Sequence, residues 1–302
     1  MKKVRTIFMG TPEFSLNVFE SVVKLCDVVA VVTKKDAYIG RKKVLTPSPI
    51  KKRAMEYGID VLTPDSLKKE YEDILKYDPE LIITCAYGKI LPSVILDYPK
   101  YGCINIHASL LPKYRGSAPI EWAIMNGEKE TGITLMYMDV GMDTGDMIDK
   151  VIYTIKDTDD NGSVHEELSK LGSIILEKNL ENIISGNVSR IKQDDSLSTL
   201  APMITRDMEE LDFNNNGESI INKIKAFSPA PLVNTKINDE EIKIKKAHFI
   251  KKDNTKVGNV VINNKELYIE CIDGYIYIDI IKPAGKKEMD IKSYLNGLKN
   301  RK

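Results

Sequence analysis

Cysteine and histidine are scarce in this chain and widely scattered, which removes several classes of protein at once. Among its 302 residues there are four cysteines and three histidines. No two cysteines stand at zinc-binding spacing, and His107, His165 and His248 share no ligand pattern, so no metal is expected. Cys26, Cys85, Cys103 and Cys271 lie far apart, three of them inside apolar strand-like runs, as buried reduced thiols do. No apolar run approaches the roughly 20 residues that span a bilayer, and Met1-Lys2-Lys3 runs into a strand-like segment without an apolar leader. A cytoplasmic protein without a membrane anchor is the expectation. Excess charge is missing as well: 44 basic and 44 acidic residues balance, which argues against nucleic-acid binding by bulk electrostatics alone. The turn Gly10-Thr11-Pro12 lacks the Gly-x-Gly-x-x-Gly of a dinucleotide site, although an anion at that helix start stays open. No Gly-x-Ser-x-Gly elbow marks a serine nucleophile.

Hydrophobic residues make up 42% of the chain and charged residues 29%, the balance of an ordinary globular protein long enough for two cores. Strand and helix signals alternate through the first half, as in a parallel α/β sheet. Residues 4–10, 28–33, 81–85 and 102–107 read as buried strands, with a short one at 59–62. Helical patterns fall at 13–24, 49–57, 66–77 and 117–126, and Thr11 with Pro12 suits the start of the first. Residues 132–139 and 147–155 read as two more strands, joined through Gly141-Met142-Asp143-Thr144-Gly145. Over 157–184, Leu168, Leu171, Ile175, Leu176, Leu180 and Ile183 recur at helical spacing. The polar stretch 186–198 reads as a linker, and beyond about residue 205 a helix at 217–226 precedes five short β-type runs, the pattern of a small barrel.

The run 102–107 ends in Asn105-Ile106-His107. Side chains alternate along a strand, so Asn105 and His107 face one side, near the carboxyl end where open parallel sheets bind ligands. Alone, a strand histidine reads as a core residue, and Asp143 reads as a turn aspartate between glycines. Together the three could serve acyl transfer. An amide and a protonated imidazole donate to a developing oxyanion, while the carboxylate orients the ring and manages protons. Without a side-chain nucleophile, direct attack by a substrate amine is the simpler scheme.

Four ordered segments carry a resemblance: Phe8-Met9-Gly10-Thr11-Pro12-Glu13-Phe14, Ala86-Tyr87-Gly88, the run from Asn105-Ile106-His107-Ala108-Ser109-Leu110-Leu111-Pro112 through Lys113-Tyr114-Arg115-Gly116, and Met138-Asp139-Val140-Gly141-Met142-Asp143-Thr144-Gly145-Asp146. They resemble the methionyl-tRNA formyltransferase family, and 226–231 and 282–287 look like its carboxyl-terminal domain. The resemblance implies an α/β fold: a Rossmann-like formyltransferase domain over 1–185, a linker over 186–205, and a smaller OB-like tRNA-binding β-barrel over 206–302. It implies transfer of a formyl group from 10-formyltetrahydrofolate to the methionine amino group of initiator Met-tRNA, by a monomer and without a metal. By position it implies Asn105, His107 and Asp143 as the catalytic triad. Ala86, Tyr87 and Gly88, with Ser109, Leu110, Leu111 and Pro112, would bind the folate, the leucines and proline shaping an apolar slot. Arg41, Lys42 and Lys43, in a loop over 34–46 that Gly40 lets bend, would contact tRNA phosphate. Two rivals remain. A formyltransferase acting on a nucleotide-linked amino sugar or a purine precursor would share the triad and differ at the acceptor. A non-catalytic RNA-binding module would have no use for the amide, imidazole and carboxylate together.

Overall fold

The computed structural model describes residues 3–40, 42–237, 240–263 and 265–299. Packing separates the chain into two units: Met1–Pro119, Glu130–Thr154 and His165–Pro202 make the first, and Ile120–Lys129, Ile155–Val164 and Met203–Lys302 the second. Among the described residues no helix is long and apolar enough to cross a membrane.

The first unit is built on seven strands: β1 (Arg5–Gly10), β2 (Asp27–Val32), β3 (Val61–Leu62), β4 (Leu81–Cys85), β5 (Cys103–His107), β6 (Glu130–Tyr137) and β7 (Met147–Thr154). They lie in the order β7-β6-β5-β4-β1-β2-β3. The pairs β1/β2, β1/β4, β2/β3 and β4/β5 are parallel, whereas β6 pairs antiparallel with both β5 and β7. The parallel part is a Rossmann-like α/β sheet whose strand order reverses at β1. At such a reversal the connections leave to opposite faces, and a crevice opens at the carboxyl ends of the strands.

β1 and β4 form central strands because both of their faces are largely apolar and buried. Ile7 and Met9 point into a core shared with Val32, Ile74, Ile82, Leu91 and Ile95. Phe8 points the other way and meets Phe19 of the helix Leu16–Leu25, with ring centroids 5.2 Å apart. Both rings are fully buried. Truncating either to alanine would cost about 3–5 kcal/mol in lost transfer energy and cavity. The long helix Asn161–Ser185 buries Leu168, Ile175, Leu176, Leu180 and Ile183. It comes close to β5 at Gly172, where an added Cβ would lie 3.1 Å from both Ile106 and Val18 methyl carbons.

Three stretches of this unit differ from the sequence reading or add to it. Residues 66–77 are helical only over Tyr71–Leu75. The backbone N–H groups of Lys69 and Glu70 both close on the Ser66 carbonyl, and the Glu70 carboxylate accepts the Ser66 N–H at 2.8 Å, so a capped turn replaces the first helical turns. The loop over 34–46 holds a small hairpin of Ala37–Ile39 with Val44–Thr46. Within the polar stretch after the long helix, Leu200–Ala201 pairs in parallel with Arg115–Gly116, and Ile191 bridges Met147.

The second unit carries a mostly antiparallel sheet of β8 (Val233–Ile237), β9 (Glu240–Lys251), β10 (Val260–Ile262), β11 (Leu267–Cys271), β12 (Gly274–Pro283) and β13 (Met289–Asp290). The order is β8-β9-β12-β11-β10, with β13 on β12. Register shifts between Ile244 and Ala247 let β9 bend, and the strands curl into an OB-like half-barrel around Ile242, Ile244, Ile269, Ile276 and Ile278. A closing helix, Ile291–Lys299, adds to the elements that the sequence pattern marks. Its start is capped by Asp290, whose carboxylate accepts the Ser293 N–H at 3.0 Å, and it buries Tyr294 and Leu295.

Candidate active site

The structure brings Asn105, His107 and Asp143 together at the carboxyl end of β5. Asn105 stands opposite Thr84 of β4, whose hydroxyl lies 2.8 Å from the amide Oδ1. A hydroxyl donating to Oδ1 leaves Nδ2 as the group Asn105 presents outward, a donor. His107 is buried, and its Nε2 sits 2.9 Å from the Tyr114 carbonyl. A carbonyl only accepts, so Nε2 carries a proton and Nδ1 is the nitrogen left to face the site. Nδ1 faces Asp143 Oδ2 at 3.7 Å. That is ion-pair distance and longer than a hydrogen bond.

Asp143 comes from the loop between β6 and β7 and holds a left-handed backbone, φ +55°. Its Oδ2 accepts the Gly116 N–H at 2.9 Å. Only glycine suits position 116: φ is +128°, and a Cβ would fall 2.5 Å from the Ala201 carbonyl oxygen. The same carboxylate oxygen therefore has the Gly116 N–H as a fixed donor and the His107 ring as a neighbour.

Ser109 to Pro112 form the turn that follows β5. The Ser109 hydroxyl donates to the Lys113 carbonyl at 2.6 Å. Thr134 of β6 ties the turn from below, donating to the Ser109 carbonyl at 2.7 Å and accepting the Leu111 N–H at 3.1 Å. Leu111 is fully buried in a cluster with Met136 and Met147, whereas Leu110 and Pro112 are partly exposed. Lys150 donates to the Leu111 carbonyl, and burial holds its ammonium pKa below the usual lysine value. In the loop after β4, Ala86 (φ +48°) and Gly88 (φ +73°) expose their backbones, but the Tyr87 ring turns into the core. Burial pushes the Tyr87 phenol up to about 12, and its buried hydroxyl finds no hydrogen-bond partner among the described residues.

The hairpin places Lys42 and Lys43 at its tip, both exposed. Arg41 lies outside the described residues. Lys35 and Lys51 nearby are held by Asp65 and Asp36, while Lys42 and Lys43 have no ion pair among the described residues. Tyr38, Ile39, Val44 and Leu45 on the two arms are largely exposed, an apolar surface beside a cationic tip. In the second unit, Lys243 and Lys245 pair with Glu209 and Glu288, which takes two lysines out of the basic cluster at 243–246. Among the described residues no three histidine, cysteine or carboxylate side chains are grouped to hold a metal ion.

Residues 5–180 match the family described as formyl transferase, and residues 203–299 match the formyl transferase C-terminal domain. The methionyl-tRNA formyltransferase of Bacillus subtilis (strain 168) is 43% identical over 299 residues, covering 97% of this chain and 94% of the relative. The chain belongs to the methionyl-tRNA formyltransferase family. The family's protein from Halalkalibacterium halodurans is 42% identical over 97% of this chain and 95% of the relative. A solved N-formyltransferase from Helicobacter canadensis, in complex with folinic acid and dTDP-3-aminofucose, shares the fold at a TM-score of 0.69 and 23% identity, over 95% of this chain and 100% of that one.

Several residues of this methionyl-tRNA formyltransferase family member support the site although sequence pattern alone does not single them out. Thr84 sets the Asn105 amide, the Tyr114 carbonyl sets the His107 tautomer, and Gly116 holds the Asp143 carboxylate. Tyr114 and Gly116 lie inside the long motif that starts at Asn105, so a signal for them exists. Thr84 is the next-to-last residue of an apolar strand, where its hydroxyl is the cue.

Proposed function

We propose that this chain transfers the formyl group of 10-formyltetrahydrofolate to the α-amino group of initiator Met-tRNA, and that Asn105, His107 and Asp143 carry the chemistry. Its relatives' activity supports formyl transfer to Met-tRNA. The observation that carries the site assignment is the pair of donors on one face of β5, with a carboxylate 3.7 Å from the imidazole.

In this scheme the neutral amine attacks the formyl carbon. The new oxyanion lies between Asn105 Nδ2–H and His107 Nδ1–H, both aimed by buried partners. Asp143 faces the imidazolium and takes part in moving one amine proton to the folate N10 as the carbon–N10 bond breaks. The C–N bond to methionine forms, the bond to N10 breaks, and N10 receives the proton, so atoms and charge balance. The turn at Ser109 to Pro112 and the exposed backbones of Ala86 and Gly88 would line the folate, with Tyr87 acting through the core behind them. Lys42, Lys43 and Arg41 would hold the acceptor end of the tRNA. Residues 1–185 would carry the reaction and 206–302 would bind tRNA, joined by 186–205. One chain supplies every group in the scheme, as a monomer acting in the cytoplasm beside translation requires.

The test is an acceptor panel with 10-formyltetrahydrofolate as donor. Formylation of initiator Met-tRNA is expected, without turnover of a dTDP-amino sugar or glycinamide ribonucleotide. Turnover of either small acceptor with none of Met-tRNA would overturn the proposal.

A further inference from the structure

Gln193 lies in the polar stretch that follows the long helix, yet its side chain is buried. Its Nε2 donates to the Asp143 carbonyl at 2.8 Å and to the Gly145 carbonyl at 2.8 Å. Its Oε1 accepts from Arg115 twice, from Nε at 3.1 Å and from Nη2 at 2.8 Å. An amide side chain has two N–H donors and one oxygen with two lone pairs, and here all four positions are used. The orientation admits no flip, because a guanidinium only donates and a backbone carbonyl only accepts. Arg115 is itself buried and also reaches Asp195 at 2.7 Å.

These bonds converge on the part of the site that needs holding. Asp143 occupies a left-handed backbone, which an aspartate tolerates better than most residues but at some cost, so bonds to its carbonyl matter. The loop around it offers little packing: Val140 is 70% exposed and Met142 49%. Gln193 fixes the Asp143 carbonyl while Gly116 fixes its carboxylate. Arg115 and Gly116 are consecutive, so the brace behind Gln193 and the donor to Asp143 are a single piece of backbone, pinned in turn by Leu200–Ala201.

We infer that Gln193, braced by Arg115, is the positioning residue that sets the Asp143 carboxylate against His107 for formyl transfer. The inference rests on the reading of Asp143 as the carboxylate of the reaction. It also accounts for an amide, since an acid of the same length could accept from Arg115 but could not donate to two carbonyls.

That difference gives the experiment. Gln193→Glu keeps the anchor to Arg115 as an ion pair and loses both bonds to the Asp143 loop, while Gln193→Ala loses everything. A misplacement of about 1 Å at a reacting group can cost on the order of 100-fold. For Gln193→Glu, kcat for Met-tRNA is therefore expected to fall about 10- to 100-fold, with KM for Met-tRNA and for the folate donor within about twofold. A kcat loss smaller than about fivefold, or a loss matched by a rise in either KM, would overturn the inference, because the amide would then act on the fold or on binding. Asp143→Ala is run beside it. Wild-type turnover in Asp143→Ala would remove the reading of Asp143 itself. An inactive Asp143→Ala with a wild-type Gln193→Glu would remove only the clamp.

Discussion

Replacing Asn105 with alanine separates catalysis from folding. Among the described residues the amide Oδ1 has one partner, the Thr84 hydroxyl, and that hydroxyl also lies 3.2 Å from the Ile104 carbonyl. When the amide is gone Thr84 still has an acceptor, so no buried donor is orphaned, and the lost bond is worth about 1 kcal/mol of stability. For a unit of this size that lowers Tm by about 2–4 °C. The effect on the reaction is of another order. Removing one preorganised donor from an oxyanion costs about 100- to 1,000-fold in kcat, or ~2.7–4 kcal/mol. Because the charge on oxygen develops only during attack, KM for both substrates should stay close to wild type. Single-turnover formylation of Met-tRNA at saturating donor, with steady-state KM values alongside, reads both quantities. A kcat within about tenfold of wild type would refute the role given to Asn105.

The paired change Lys42→Ala, Lys43→Ala should lower kcat/KM for Met-tRNA and flatten its salt dependence by about one unit of log–log slope for each phosphate the two lysines neutralise; an unchanged slope would clear the hairpin of a phosphate-binding role. Gly116→Ala drives a Cβ to 2.5 Å from the Ala201 oxygen at a φ of +128°. It should cost at least about 2 kcal/mol in denaturant unfolding, and an unshifted midpoint would contradict the packing described. Burial pushes the Cys85 and Cys103 thiols up to about 12. Below the unfolded value of 9.0 these groups are protonated in both states, whereas above it the unfolded chain ionises first, so their contribution is lost as pH rises from 9 towards 12. The pH 8 to pH 10 fall in the urea midpoint should therefore be smaller in Cys85→Ala than in wild type, by about 1.4 kcal/mol in stability, and an equal fall would contradict the burial.

Much of this molecule can be read from local pattern, and what cannot has a common cause. β4 and β5 appear in the sequence within one residue of their observed ends, because both are short runs rich in β-branched and apolar residues that are closed by turn residues. Period-two alternation then suffices to put Asn105 and His107 on one face. The OB-like half-barrel shows itself through closely spaced β-type runs, although the length of β9, which continues to Lys251, is masked by charged side chains on its open face. The closing helix at 291–299 has a usable signal in Asp290 and Ser293, three residues apart. Gln193 has none. Its partners Arg115 and Asp143 are 78 and 50 residues away, and a polar stretch without periodicity looks the same whether it is solvated or clamped. Tyr87 shows the opposite limit, a motif residue whose ring is packed into the core.

The most direct test of the central claim is a structure of the protein with a stable formyl-folate analogue and a methionyl-adenosine acceptor. The formyl oxygen should point towards both Asn105 Nδ2 and His107 Nδ1, the donors that would close to about 2.7–3.1 Å of the oxyanion, with the acceptor nitrogen on the Asp143 side. A formyl oxygen bound away from both donors would contradict the account.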